Sequence, residues 1–395
     1  MSEPNAPAAR TPWGRSVILG VVFSAIVCVV VLAFSWPSVT LDPKGLPVVV
    51  TGPEAALQPV EKALNDKADG AFEITEVADR DAAVRAIKER DAYGAIVLGD
   101  KPEVLTSSAA STATNQMMTQ LHDTLQAMVQ QQAAAAAQRA HAPNIPTVTV
   151  ALTDVVPLVP DDPRGAGLTA AALPLVFGGM IGGMLVTFLV NGSRRRVTTL
   201  LVYALVGGSA ITGIMHSWFG VLGGDFLPIA GAFALTLLAM GATIVGFASV
   251  FGRAGVAVGP VLFMLIGNPI SGTTFPKEFY PGPWGTVGQY LPPGAGGTLL
   301  RDVAYFPDAD LTAPMVTLAV WAAAGLLLVL VGHFRNQSEI PSSAEATDDS
   351  TVADNDGAAG VPLPRREATD DAAADLDQSP EAEYARAERA IEAAD

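Results

Sequence analysis

Six blocks of the chain are apolar over lengths that suit a bilayer: residues 16–36, 168–190, 197–215, 226–250, 255–270 and 314–331. A hydrocarbon core of about 30 Å needs roughly 20 apolar residues in a helix. The pattern therefore predicts a membrane all-α bundle of six transmembrane helices. The fifth block is the shortest and contains Pro260, which predicts a kinked helix whose freed carbonyl is satisfied by its neighbours. The first block can also be read as a cleaved signal peptide ending near Ala33-Phe34-Ser35. Its apolar region exceeds the roughly 7–15 residues of such peptides, so it reads better as an uncleaved first helix.

Between the first and second blocks the pattern changes. Residues 46–51, 71–77, 93–98 and 103–106 have strand-like composition, and 53–67 and 79–90 have helical composition. This alternation predicts an α/β domain over residues 37–167. A long helix follows over about 111–140. Its residues Met118, Leu121, Leu125 and Met128 form one apolar stripe. The stripe suits packing on the domain's own sheet or pairing with a second subunit. Residues 146–150 read as a returning strand.

Charge orients these pieces. Arg10 and Arg15 precede the first block, Arg194, Arg195 and Arg196 follow the second, Arg253 separates the fourth and fifth, and Arg335 follows the sixth. Alternating spans put all of them on one side. The positive-inside rule makes that side the cytoplasm, so the α/β domain and the loop 271–310 are extracytoplasmic and both termini cytoplasmic. The expected order is a cytoplasmic segment 1–15, a first helix 16–36, the α/β domain, a five-helix domain 168–335 and a tail 336–395. That tail holds sixteen acids and four bases, a net of −12 out of −16 for the chain, and reads as disordered. The acidity says little about partners of the main body.

Candidate chemistry is sparse. Cys28 is the single cysteine, so an internal disulfide is excluded. There is no G-x-x-x-x-G-K-[ST] loop, and His122, His141, His216 and His333 have no partner at metal-ligand spacing. Gly207-Gly208-Ser209-Ala210 and Gly223-Gly224-Asp225 fall short of intramembrane protease motifs. No catalytic, cofactor-binding or metal residue is assigned, no cofactor is expected, and the chain does not read as an enzyme. Basic residues are too scattered for nucleic acid. The block interiors lack Asp, Glu, Lys and Arg, where coupled transporters keep ionisable groups. Any transport must draw its energy from elsewhere.

Three features remain as candidate sites. Gly178, Gly179, Gly182 and Gly183 allow close helix approach, within the chain or at a subunit interface. Arg194, Arg195 and Arg196 suit a cytoplasmic anchor, a contact to membrane lipids or a partner contact. In the loop 271–310, Phe279, Tyr280, Trp284, Tyr290, Pro292 and Pro293 suit either an ordinary interfacial loop or a gate over an exit path. Two short segments of that loop, near 285–291 and 295–305, could dip into the outer leaflet.

One span, an outer domain and five further spans resemble the phage-infection-protein (Pip) group and related permeases of the second ABC exporter type. Asp161-Asp162-Pro163-Arg164-Gly165 and Leu291-Pro292-Pro293-Gly294-Ala295 also resemble actinobacterial permeases. The resemblance implies a permease subunit of an ATP-driven exporter in a bacterial plasma membrane, a homodimer of six-helix units, a separate ATPase subunit and reentrant helices over 276–305. A hydrophobic or amphipathic substrate is expected. The loop 191–196 and the segment before the first span are shorter than in such permeases. A second reading is a cell-envelope scaffold or surface receptor anchored by the helices. An anchor needs one helix, so several closely packed ones favour transport.

Overall fold

The computed structural model describes residues 12–59, 62, 70–139 and 147–337. Residues 60, 61 and 63–67 of the helix expected over 53–67, Arg10 and nearly all of the acidic tail lie outside the described residues. Among the described residues, five helices are long and apolar enough to cross a membrane. They are α1 (Trp13–Thr40), α4 (Ala166–Leu189), α5 (Ser193–Thr212, continued by a π-helical turn Gly213–Trp218), α6 (Phe226–Phe251) and α10 (Thr312–Gln337).

The count of six is not reached. The fifth apolar block becomes a single turn α7 (Arg253–Val256) and a π-helix Pro260–Gly267, an apolar stretch shorter than the other five. At about 1.5 Å per residue it spans only about 22 Å. Pro260 has no N–H to continue an α-ladder, and the chain resumes with the wider turn after it.

α6 lies at the centre of the bundle. The backbone of Gly246 faces Gly325 and Leu328 of α10, and Gly208 of α5 faces Ala230 and Ala234. Small residues let these helix axes approach closely where lipid provides no hydrophobic drive. α1 is the opposite case, lying exposed along its apolar length. It meets the rest near its end, where the Trp36 ring sits edge-on to Trp284 at 6.0 Å.

Outside these helices lies a five-stranded sheet of β1 (Leu46–Thr51), β2 (Phe72–Glu76), β3 (Gly94–Val97), β4 (Glu103–Thr106) and β5 (Ala151–Asp154), in the order β2-β1-β3-β4-β5. Only the β3–β4 pair is antiparallel. α3 (Thr112–Arg139) covers one face, where Met118 and Leu125 are buried with Val48, Val50, Ile96 and Val104. The apolar stripe of α3 therefore packs on its own sheet. Each such buried Leu or Met is worth roughly 1.5–3 kcal/mol. α2 (Arg80–Lys88) covers the other face through Ala83 and Ile87. Asp79 caps it by accepting from the Ala82 N–H at 2.8 Å.

The returning strand falls later than residues 146–150. Val148 and Val150 are held instead by α3: the Gln126 side chain donates to the Val148 carbonyl at 2.8 Å and accepts from the Val150 N–H at 2.7 Å. A glutamine amide satisfies both partners, which leaves the sheet edge to Ala151–Asp154.

Candidate functional site

The two ends of the bundle differ. At one end the α4–α5 turn, the end of α6 and the end of α10 come together. Arg196 donates from Nε to the Val190 carbonyl (2.8 Å) and from Nη2 to the Thr187 carbonyl (3.1 Å), and it reaches Ser249 at 3.4 Å. Gly332 packs on the same serine. Arg196 thus closes the C-terminus of α4. Arg194 and Arg195 are exposed. The three arginines are not equivalent: one is a cap, and two face outward.

The glycines of α4 face the same chain. Gly182 lies against the Tyr203 ring, Gly179 against Met240, and Gly183 within 3.1 Å of the Gly241 backbone, distances being those a Cβ would meet. The Tyr203 hydroxyl donates to the Gly178 carbonyl at 2.7 Å. α5 and α6 use this surface.

The opposite end carries a folded hairpin: a 3₁₀ turn Lys277–Phe279, α8 (Trp284–Gln289) and α9 (Pro292–Tyr305). Pro292 and Pro293 begin α9, where their missing N–H groups would have had no helical partner. Glycines close the hairpin, with Gly285 against the Lys277 carbonyl, Gly288 against the Ile270 carbonyl and Gly294 against that of Gly288. A polar chain lines its inside. Gln289 donates to the Ser271 carbonyl at 2.8 Å and accepts from Thr298 at 2.6 Å. Outside, Trp321 of α10 donates to the Tyr290 carbonyl at 2.8 Å.

The six loop residues singled out as gate candidates separate. Phe279 is buried in the sheet core beside Val48 and Met118. Tyr280, Pro292 and Pro293 are buried as well, whereas Trp284 and Tyr290 are exposed. The aromatic and proline composition fits a protein core as well as a membrane interface, so it does not separate these cases. Phe279 fastens the hairpin to the α/β domain. Its carbonyl accepts from the Asp42 N–H at 3.0 Å, and Glu278 accepts from the Tyr93 hydroxyl at 3.0 Å.

A further attachment is ionic. Arg90 forms an ion pair with Asp302 of α9, and its guanidinium lies 5.4 Å from the centre of the Phe306 ring. Among the described residues Arg90 alone is a non-glycine with positive φ, at 66°. It occupies the left-handed position after α2 that glycine usually takes. A strained residue at a contact suggests that the surroundings over-determine it. Burial works against the Arg90 charge, but Asp302, Tyr93 and Glu278 more than offset it and hold its pKa above the ordinary value. Burial pushes the Asp302 carboxyl up and the Tyr93 hydroxyl well up. Arg301, next in the chain, is buried and pushed down to about 10 by desolvation and then by Arg90. Sequence reasoning missed this cluster. Its partners lie 212 positions apart and leave no local period.

The motif Asp161-Asp162-Pro163-Arg164-Gly165 has a structural role. Asp162 accepts from the N–H groups of Ala166 (2.8 Å) and Gly167 (2.6 Å) and so opens α4, while Gly165 turns with φ 65°. No group of His, Cys, Asp and Glu suited to a metal occurs among the described residues.

A family model described as "ABC-2 family transporter protein" matches residues 15–331, which takes in the α/β domain as well as the helices. No curated protein and no solved structure matches the chain.

Proposed function

The chain belongs to the ABC-2 family of transporter proteins, a multi-pass membrane permease family, and from that premise we propose that it is the membrane-spanning subunit of an exporter driven by a separate ATPase. The cargo we propose is a hydrophobic or amphipathic molecule. The observation that carries this reading is the polarity of the bundle. Arg194, Arg195 and Arg253 gather at the end opposite the α/β domain, and no Asp, Glu, Lys or Arg lies at mid-depth in the five long helices. Proton- and ion-coupled transporters keep ionisable groups at that depth, so this bundle favours an external energy source. The exposed pair Arg194 and Arg195 supplies the partner contact.

In this reading the arginine end is cytoplasmic, as the positive-inside rule requires, both termini lie there, and the α/β domain lies outside. The segment Arg253–Gly267 and the hairpin after it together take the place of a sixth crossing, the hairpin forming reentrant helices in the outer leaflet. The proposed working unit is a homodimer. Because the hairpin is fastened to the α/β domain through Phe279 and Asp302, the domain and the outer end of the path move together.

Cysteine labelling tests the orientation. In a Cys28→Ser background, Asp91→Cys reacts with a membrane-impermeant thiol reagent on intact cells, and Arg194→Cys reacts only after permeabilisation. The reverse pattern would overturn the export direction.

A further inference from the structure

A cleft of about 490 Å³ opens between the α/β domain and the hairpin. Its charges are arranged by depth. Arg301 lines the cleft and is 8% exposed. One Nη donates to the Thr273 carbonyl at 2.6 Å, while the Nε is buried without a hydrogen-bond partner. None of the described ion pairs includes Arg301. Asp302, its neighbour, is taken by Arg90, and Glu278 is held by Tyr93 and Lys277. A buried guanidinium with a free donor and no paired carboxylate is costly unless a ligand oxygen completes it. The depressed pKa of Arg301 has the same origin.

The mouth carries a net charge of the opposite sign: Glu89, Asp91 and Asp310 line it and are exposed, against one exposed cation, Lys277, which lies 3.9 Å from Glu278. A simple anion meets these carboxylates on entry, and a simple cation meets the guanidinium at the floor. A molecule with an anion at its tip and a cation behind it satisfies both. The wall adds a third element. Ala313, Pro314 and Thr317, on the first turns of the membrane helix α10, line the cleft together with Tyr290. Ala313, Thr317 and Trp321 follow each other at four-residue spacing, so one mostly apolar face of α10 leads away from the cleft.

We infer that this cleft binds the headgroup of a zwitterionic amphiphile, with its phosphate on Arg301 and its ammonium among Glu89, Asp91 and Asp310. The acyl chains follow α10 toward the bilayer. This is a statement about binding, and it holds whether the bound molecule is cargo or a resident lipid.

Calorimetric titration of the full chain in detergent tests it, with four probes: dihexanoyl phosphatidylethanolamine, dihexanoyl phosphatidylglycerol, phosphoethanolamine and inorganic phosphate. The ethanolamine lipid binds at least tenfold tighter than each of the others. Arg301→Gln weakens it tenfold or more. The exposed double variant Glu89→Gln/Asp91→Asn keeps the fold even if the buried variant does not, and it weakens the ethanolamine lipid several-fold while leaving the glycerol lipid unchanged or tighter. Equal binding of the glycerol lipid or inorganic phosphate would overturn the zwitterion assignment. Equal binding of phosphoethanolamine would overturn the amphiphile assignment. An unchanged affinity in the double variant, or no binding of the ethanolamine lipid, would overturn the site.

Discussion

Arg90, just past the end of α2 in the α/β domain, is ion-paired to Asp302 on α9, 212 residues further along the chain. The pair joins the sheet domain to the hairpin that caps the membrane helices. Removing one partner leaves a buried charge alone, which costs about 3–5 kcal/mol. Asp302→Asn is therefore expected to lower the melting temperature in detergent markedly. Arg90→Gly loses the pair but relieves the left-handed backbone, and is expected to cost less than Asp302→Asn. The double variant Arg90→Gly/Asp302→Asn should recover part of the loss, read as a positive coupling in a double-mutant cycle. Additive losses would show that the two residues act separately.

Much of the sheet domain was legible from local pattern, because β-branched runs and amphipathic spacing carry the signal. β1 occupies the run 46–51, and α3 occupies Thr112–Arg139 where a helix over about 111–140 was expected. What was not legible depends on distant partners. Residues 146–150 read as a strand by composition, yet Gln126 takes up the backbone of Val148 and Val150. Phe279 read as an interfacial-loop or gate aromatic, yet it fills the core of the sheet domain, which lies far earlier in the chain. The π-helix at Pro260 depends on a missing N–H, which the hydropathy pattern cannot register.

Acid acts on a second pair. Arg80 donates to Glu103 from Nε at 2.6 Å, and Thr153 also donates to that carboxylate. The Arg80 hydrogen bond holds the Glu103 carboxyl below its usual value of 4.5. A depressed carboxylate contributes stability above its unfolded pKa and loses it as pH falls through the folded one. The contribution is about 0.5–1 kcal/mol, because Arg80 is half exposed and screened. Glu103→Gln is expected to be less stable than the parent at pH 7. The difference should shrink as pH falls below 4.5, measured by thermal melting. A constant difference across pH would sink this assignment.

The hairpin glycines make a sharper prediction. A methyl group on Gly288 would run into the backbone carbonyl of Ile270, and neither side can swing away. Gly231, on α6, has open space around the same position. Gly288→Ala should cut the yield of folded protein in detergent, while Gly231→Ala should be neutral or stabilising by up to about 1 kcal/mol, since alanine favours a helix. Size-exclusion profiles of the two variants distinguish these outcomes.

At the other end the arginines should part company. Arg196→Ala frees two carbonyls at the end of α4 and is expected to cost about 1–3 kcal/mol. Arg194→Ala and Arg195→Ala, being exposed, should leave the melting temperature within about a degree of the parent, a loss of under about 0.5 kcal/mol. Equal destabilisation by all three would remove the distinction between cap and contact.

The central claim is that this permease works through a separate ATPase docked at its arginine end. It is tested most directly by purifying the full chain from its own membranes in a mild detergent and measuring ATP hydrolysis in the eluate. The account predicts hydrolysis that copurifies with the chain and falls at least tenfold in the charge-reversed variant Arg194→Glu/Arg195→Glu, with the permease still folded and eluting at its usual position. Folded permease that elutes without any ATP hydrolysis, or hydrolysis unchanged by the charge reversal, would contradict it.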